Sequence, residues 1–242
     1  MKRLKPENIE LLPDESIDDF EGGSLRLIQS RTGYRFSIDA VLLSEFATVK
    51  RGEDVVDLGA GCGIIPLMLL LKKPIKHAYA LEIQWGLAYQ TARNAALNDF
   101  TDRMSVIMGD IRTPPLSARC VDVVVCNPPY RRKESGRINP DSQRAIARHE
   151  ILASLDDILG AARGMLRPKG RLAMIYPAER LTDLMTKLRT FDMEPKRLRI
   201  IYPGIAADAK LAMIEASHGG KAGLKVLPPL VDQGEYTIKA RI

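Results

Sequence analysis

The stretch VVDLGAGCGIIPLMLLLK, residues 55–72, decides the fold. Val55 to Leu58 form a short β-branched run of the kind that lies buried in a sheet. From Ile64 the chain turns apolar all round, as a buried helix does. Between them Gly59, Gly61 and Gly63 alternate with small residues. Glycines at such a strand–helix junction let the backbone turn sharply and aim its N–H groups at a ligand. A dinucleotide-binding loop would place its third glycine where Ile64 stands, so this loop departs from that pattern. Asp57, at the strand end, suits a ligand with a cationic amino-acid part. The plain alternative is a turn without a ligand, and three spaced glycines with an acid weigh against it.

Working outward, HAYALE (77–82), MSVIM (104–108), VDVVVC (121–126) and RLAMIYP (171–177) read as further strands. Helical patterns at 64–72, 84–97 and 150–166 alternate with them, the last closed by Pro-Lys-Gly. This alternation predicts an α/β fold, a doubly wound, seven-stranded, mostly parallel sheet covered by helices on both faces. LRIIYP (198–203) and KLAMIEAS (210–217) lack room for a crossover helix and should pair antiparallel at one edge. Residues 1–48 read as an N-terminal extension packed on the core. It would hold a hairpin strand in GSLRLIQS and a helix beginning at Ser37 or Asp39. The main domain would then run over 49–242. Residues 131–147 form a long irregular stretch of the kind that carries function.

Other polar residues fall at the same strand ends. Glu82 ends the second strand of the series, where a carboxylate can chelate two ribose hydroxyls. Asp110 ends the third and can accept a bond from an adenine amino group. Ile83 and Ile111 follow these acids and can sandwich a purine, ordinary core packing being the alternative. The fourth strand runs into Asn127-Pro128-Pro129-Tyr130. An amino group conjugated to a ring or carbonyl is a poor nucleophile because its lone pair is delocalised. The Asn127 side-chain carbonyl and the Pro128 backbone carbonyl can accept its two N–H bonds and turn the lone pair toward an electrophile. Proline restricts its own φ and the residue before it, so the acceptors are set in advance. Tyr130 offers a flat face to a planar substrate.

The 242 residues fit one domain, and 45% apolar with 27% charged is a globular balance. No apolar run is long enough for a membrane span, and the basic amino terminus lacks the apolar region of a signal peptide, so a cytoplasmic location is expected. Three cysteines without a paired spacing and three scattered histidines offer neither a disulfide framework nor a metal site. The formal net charge of +6 suits a polyanionic partner. Six cations, Arg131, Arg132, Lys133, Arg137, Arg144 and Arg148, follow the Asn-Pro-Pro-Tyr motif against Glu134, Asp141 and Glu150. Such a rim suits a phosphate backbone and points to RNA.

Taken together, DLGAGCG, Glu82, Asp110 and NPPY resemble the class I S-adenosylmethionine-dependent methyltransferases that act on amino nitrogens. More closely, the chain resembles the bacterial tRNA (adenine-N6)-methyltransferase family acting on the adenosine 3′ of the anticodon in valine tRNA. IQSRTGYRFSIDAVLLSEFA, AIARHEIL, EPKRLRIIYP and GLKVLPPL extend the resemblance over nearly the whole chain. The resemblance implies S-adenosylmethionine as cofactor. Asp57 and the glycine loop would hold its methionine part, Glu82 the ribose and Asp110 the adenine, with Asp39 closing over it. Ala60 and Cys62 stand where relatives often have Ser or Thr. NPPY is shared with methylases of protein glutamine, so that substrate is the alternative, and a noncatalytic RNA-binding subunit of the same fold is another.

Overall fold

The computed structural model describes residues 9–33, 35–128 and 153–231. β1 (Glu15–Phe20) and β2 (Leu25–Ser30) form an antiparallel hairpin, followed by α1 (Ile38–Phe46). Then come β3 (Asp54–Leu58), α2 (Ile64–Lys72), β4 (His77–Glu82), α3 (Trp85–Leu97), β5 (Met104–Met108) and β6 (Val121–Cys126). After them stand α4 (Leu155–Met165), β7 (Leu166–Pro177), α5 (Leu181–Thr190), β8 (Met193–Tyr202) and β9 (Leu211–His218). Two-residue strands β10 (Lys225–Val226) and β11 (Leu230–Val231) complete the order.

The sheet order is β5-β4-β3-β6-β7-β9-β8, with β10 and β11 added along β8. β5, β4, β3, β6 and β7 pair in parallel. β9 runs antiparallel to both β7 and β8, one place in from the long edge strand. The seven expected strands are therefore present. The two short ones are additions that no alternation or length in the sequence marks.

Strand periodicity divides the core. Val55, Val123 and Val125 face a cluster with α1, α2 and the hairpin residues Leu25 and Leu27. Val56, Val124 and Cys126 face the opposite cluster with α4 and α5. Successive side chains of one strand feed both faces, which is why these strands read as continuous apolar runs. The described part of the predicted 150–166 helix begins at Ser154. Its hydroxyl accepts from Asp157 N (3.2 Å), and Asp157 Oδ2 accepts from Ser154 N (2.8 Å). After α4 the strand starts at once, and Pro-Lys-Gly becomes a kink inside β7. Lys169 has φ 64, and the β6 register shifts between Val121 and Val123.

Candidate active site

The direction of winding reverses between β3 and β6, which neighbour each other at the sheet centre. In open α/β sheets such a switch point opens a crevice beyond the strand ends. Asp57 pairs with Val125. Two residues further on in each strand, Gly59 and Asn127 leave the sheet level with one another. The Cys126 thiol donates to the Leu58 carbonyl (3.3 Å) and ties the two ends together. The glycine loop and the Asn-Pro motif are thus brought into one place from 68 residues apart.

Gly59, Gly61 and Gly63 have positive φ of 80, 59 and 85. Gly63 is doubly constrained, because a Cβ there would lie 2.7 Å from the Thr91 methyl. Leu67 N donates to the Gly63 carbonyl (3.1 Å), and α2 starts from this residue. Two α3 side chains brace the loop: Thr91 Oγ1 donates to the Gly61 carbonyl (2.7 Å), and Asn94 Nδ2 to the Cys62 carbonyl (2.9 Å). Asn94 also accepts from Ile28 N (2.7 Å), joining the hairpin to the loop. Sequence reading passed over these two residues. The available signal was polar side chains on the otherwise apolar face of α3.

Asp57 is 1% exposed, and neither of its carboxylate oxygens has a hydrogen-bond partner among the described residues. A buried carboxylate without donors is costly, and a ligand ammonium is the group that would satisfy it. Burial, with the nearby Glu82 second, pushes its pKa up to about 8. The folded chain therefore keeps a proton there that the unfolded chain loses near 3.8. It binds more protons than the unfolded chain across that window, so this contribution to stability is lost as pH rises toward about 8. Urea unfolding of the ligand-free protein at a series of pH values should show that decline, and Asp57→Asn should flatten it. A slope that persists in Asp57→Asn would assign the effect to other groups.

Glu82 is 4% exposed. Its Oε2 accepts from Gly61 N and its Oε1 from Gln84 N, both at 2.9 Å. Burial pushes its pKa up. Glu82 therefore shapes the glycine loop itself, and lone pairs remain on both oxygens for ligand hydroxyls. Asp110 lies one strand further along, with Gly109 N donating to the Glu82 carbonyl (3.1 Å). Arg112 engages the Asp110 carboxylate through Nε (2.9 Å and 3.0 Å) and its backbone N (2.8 Å), holding its pKa below the usual range. An adenine amino group would have to share this acceptor with Arg112. Ile111 packs against the second core, whereas Ile83 is half-buried and outside both clusters. Ile83 is thus the better placed of the two to meet a ligand.

Asn127 is half-buried and Pro128 buried. Asp39 stands in the first turn of α1, half-buried, and lines a cleft with residues of β8 and β9. Pro129, Tyr130, Arg131, Arg132, Lys133, Arg137, Arg144 and Arg148 lie outside the described residues. Among the described residues no group of three or more His, Cys, Asp or Glu could hold a metal ion. None of the described helices is long and apolar enough to cross a membrane.

Comparison with known proteins bears on this arrangement. The profile of a family described as the methyltransferase small domain matches residues 37–189. The tRNA1(Val) (adenine(37)-N6)-methyltransferase of Porphyromonas gingivalis W83 is 34% identical over 194 residues, covering 75% of this chain and 73% of the relative. That of Shewanella halifaxensis is 31% identical over 183 residues, covering 75% and 71%. Among solved structures, a predicted O-methyltransferase of Agrobacterium tumefaciens superposes with a TM-score of 0.65 at 20% identity. It covers 81% of this chain and 88% of that one. A geranyl diphosphate methyltransferase in complex with S-adenosylmethionine gives 0.56 at 12% identity, covering 74% and 84%. Likeness at this identity speaks for the fold alone.

Proposed function

This chain belongs to the methyltransferase small domain family and is a class I, S-adenosylmethionine-dependent methyltransferase; on that premise we propose that it methylates the exocyclic N6 of adenine in a cytoplasmic tRNA. The observation that carries the reading is Asn127-Pro128 level with the glycine loop at the switch point. The relatives' names support the choice of tRNA.

The residues present fit the cofactor. Asp57 supplies a buried acceptor for its amino group, Glu82 holds the ribose hydroxyls, and Asp110 accepts from the adenine flanked by Ile83 and Ile111. Bound there, S-adenosylmethionine supplies an electrophilic methyl group. The chain's own part is to present the nucleophile. Asn127 Oδ1 and the Pro128 carbonyl accept the two N–H bonds of the target amino group, which frees its lone pair from the ring. No general base is required before transfer, because the nitrogen becomes acidic only once it is alkylated. An adenine in an anticodon loop must first leave its stack, at a cost of a few kcal/mol. Tyr130 would replace the lost stacking, while the cations between Arg131 and Arg148 would hold flanking phosphates.

Glu82→Ala removes ribose acceptors and the Gly61 brace together. Its affinity for S-adenosylmethionine should fall by at least ~1.5–3 kcal/mol, roughly tenfold to 150-fold, by calorimetry. Unchanged affinity would sink the ribose assignment.

The acceptor class is tested with labelled cofactor offered to total tRNA and, separately, to peptide-chain release factors. Label is expected in tRNA, with binding weakened steeply by salt. Label in protein glutamine and none in RNA would establish the alternative substrate. Cofactor binding without turnover on either would establish the noncatalytic subunit.

A further inference from the structure

Between α1 and the ends of β8 and β9 lies a cleft that the methyl-transfer chemistry leaves unused. Ile38, Leu42, Ile201 and Leu211 give it an apolar floor, and Asp39 and Lys210 stand on its walls. Strand register fixes its place relative to Asn127. Cys126 pairs with Met174, Pro177 pairs with Leu211, and Ala178 N donates to the Lys210 carbonyl (3.1 Å). The cleft therefore opens on the same sheet edge as Asn127, two strands away, or roughly 10 Å at ordinary strand spacing. Neither the Lys210 ammonium nor the Asp39 carboxylate has a salt-bridge partner among the described residues. On the loop joining β8 to β9, Ile205 is 87% exposed, an apolar side chain with no core to fill.

We propose that this cleft is the subsite for the nucleotide adjoining the target adenosine. The inference rests on the RNA reading of the site. The apolar floor takes the base, Asp39 accepts from its ring or amino N–H groups, and Lys210 meets its phosphate. Ile205 covers the base from the loop side. Every nucleotide brings the base and the phosphate that these features match, whereas a peptide segment would need an acidic residue at that one place to meet Lys210. The subsite gives Asp39 a contact on the RNA side, and it fixes which neighbours of an extruded adenine the enzyme can hold.

The test uses anticodon stem-loop RNAs carrying a single abasic residue on either side of the target, with the wild-type chain, Lys210→Glu and Ile205→Asp. Both substituted side chains are exposed, and calorimetry with S-adenosylmethionine serves as the folding control. Removing one adjoining base should raise KM about tenfold, the scale of a lost base contact, and leave kcat within about twofold. Lys210→Glu and Ile205→Asp should raise KM for the intact RNA to a similar degree at unchanged cofactor affinity. Combined with the sensitive abasic RNA, the Ile205→Asp loss should not multiply, because both remove the same base contact, whereas the Lys210→Glu loss persists on a residue that keeps its phosphate. Intact RNA methylated by both variants with wild-type KM would overturn the subsite while leaving the RNA activity standing. An Ile205→Asp loss that multiplies in full with the loss from the missing base would overturn it too. A protein that methylates no RNA would remove the function and the subsite together.

Discussion

Asn127→Ala should leave S-adenosylmethionine affinity near wild type while single-turnover methylation falls by at least ~10²-fold, about 2.7 kcal/mol of barrier. The separation follows from where the residues sit. Asp57 and Glu82 belong to β3 and β4 and the glycine loop to the turn after β3, whereas Asn127 directly follows β6. Removing its side chain deletes one of two acceptors for the target amino group, and Pro128 keeps the other. Asn127→Gly separates chemistry from turn geometry, since glycine tolerates any turn and accepts nothing through a side chain. It should fall as far as alanine. A glycine variant with most of its activity would reduce Asn127 to a turn residue.

The second large effect concerns the fold that carries the site. Arg93 is 2% exposed and Glu15 8%. Arg93 donates to Glu15 Oε2 (2.6 Å) and to the Glu10 carbonyl (3.1 Å), tying the hairpin to α3. Burial would raise the Glu15 pKa, but bonds from Arg93 and from Leu12 N bring it below its ordinary value. Arg93→Met leaves that carboxylate buried and unpaired, which should cost ~3–5 kcal/mol. For a chain of this size the melting temperature should drop by roughly 6–20 °C. Arg93→Met combined with Glu15→Gln should recover much of the loss, because the unpaired charge is gone. The damage should also reach the cofactor, since Thr91 and Asn94 on the same helix brace the glycine loop. Urea unfolding of both variants is the measurement, and a single variant within ~1 kcal/mol of wild type would contradict the account.

The parts of this protein that were legible in its sequence share one property: their local signal and their tertiary role coincide. β4, β5 and β6 have the same bounds in both readings because their β-branched runs are buried on both faces. The placement of Asp57, Glu82 and Asn127 at one edge was legible because each ends such a run, and parallel strands bring their ends together. β1 was missed, since ESIDDF is acidic and only its first residue is buried. α5 was missed as well, having just Leu184 and Leu188 buried. The Arg112 clasp on Asp110 and the hold of Glu82 on the glycine loop were invisible, because a side chain's partners depend on backbone geometry that no spacing encodes. Asp39 was assigned to the cofactor by resemblance alone, and its place beside Lys210 on a cleft wall is a tertiary feature that no spacing encodes.

The central claim is that this sheet edge delivers a methyl group to an amino nitrogen of adenine. The most direct measurement is the chemical identity of the product. Valine tRNA lacking the modification, methylated by the purified protein, would be digested and its nucleosides resolved by mass spectrometry. The account predicts N6-methyladenosine at a single site, the adenosine 3′ of the anticodon. A methyl group on a ribose oxygen, on a ring carbon or on any other base would contradict it.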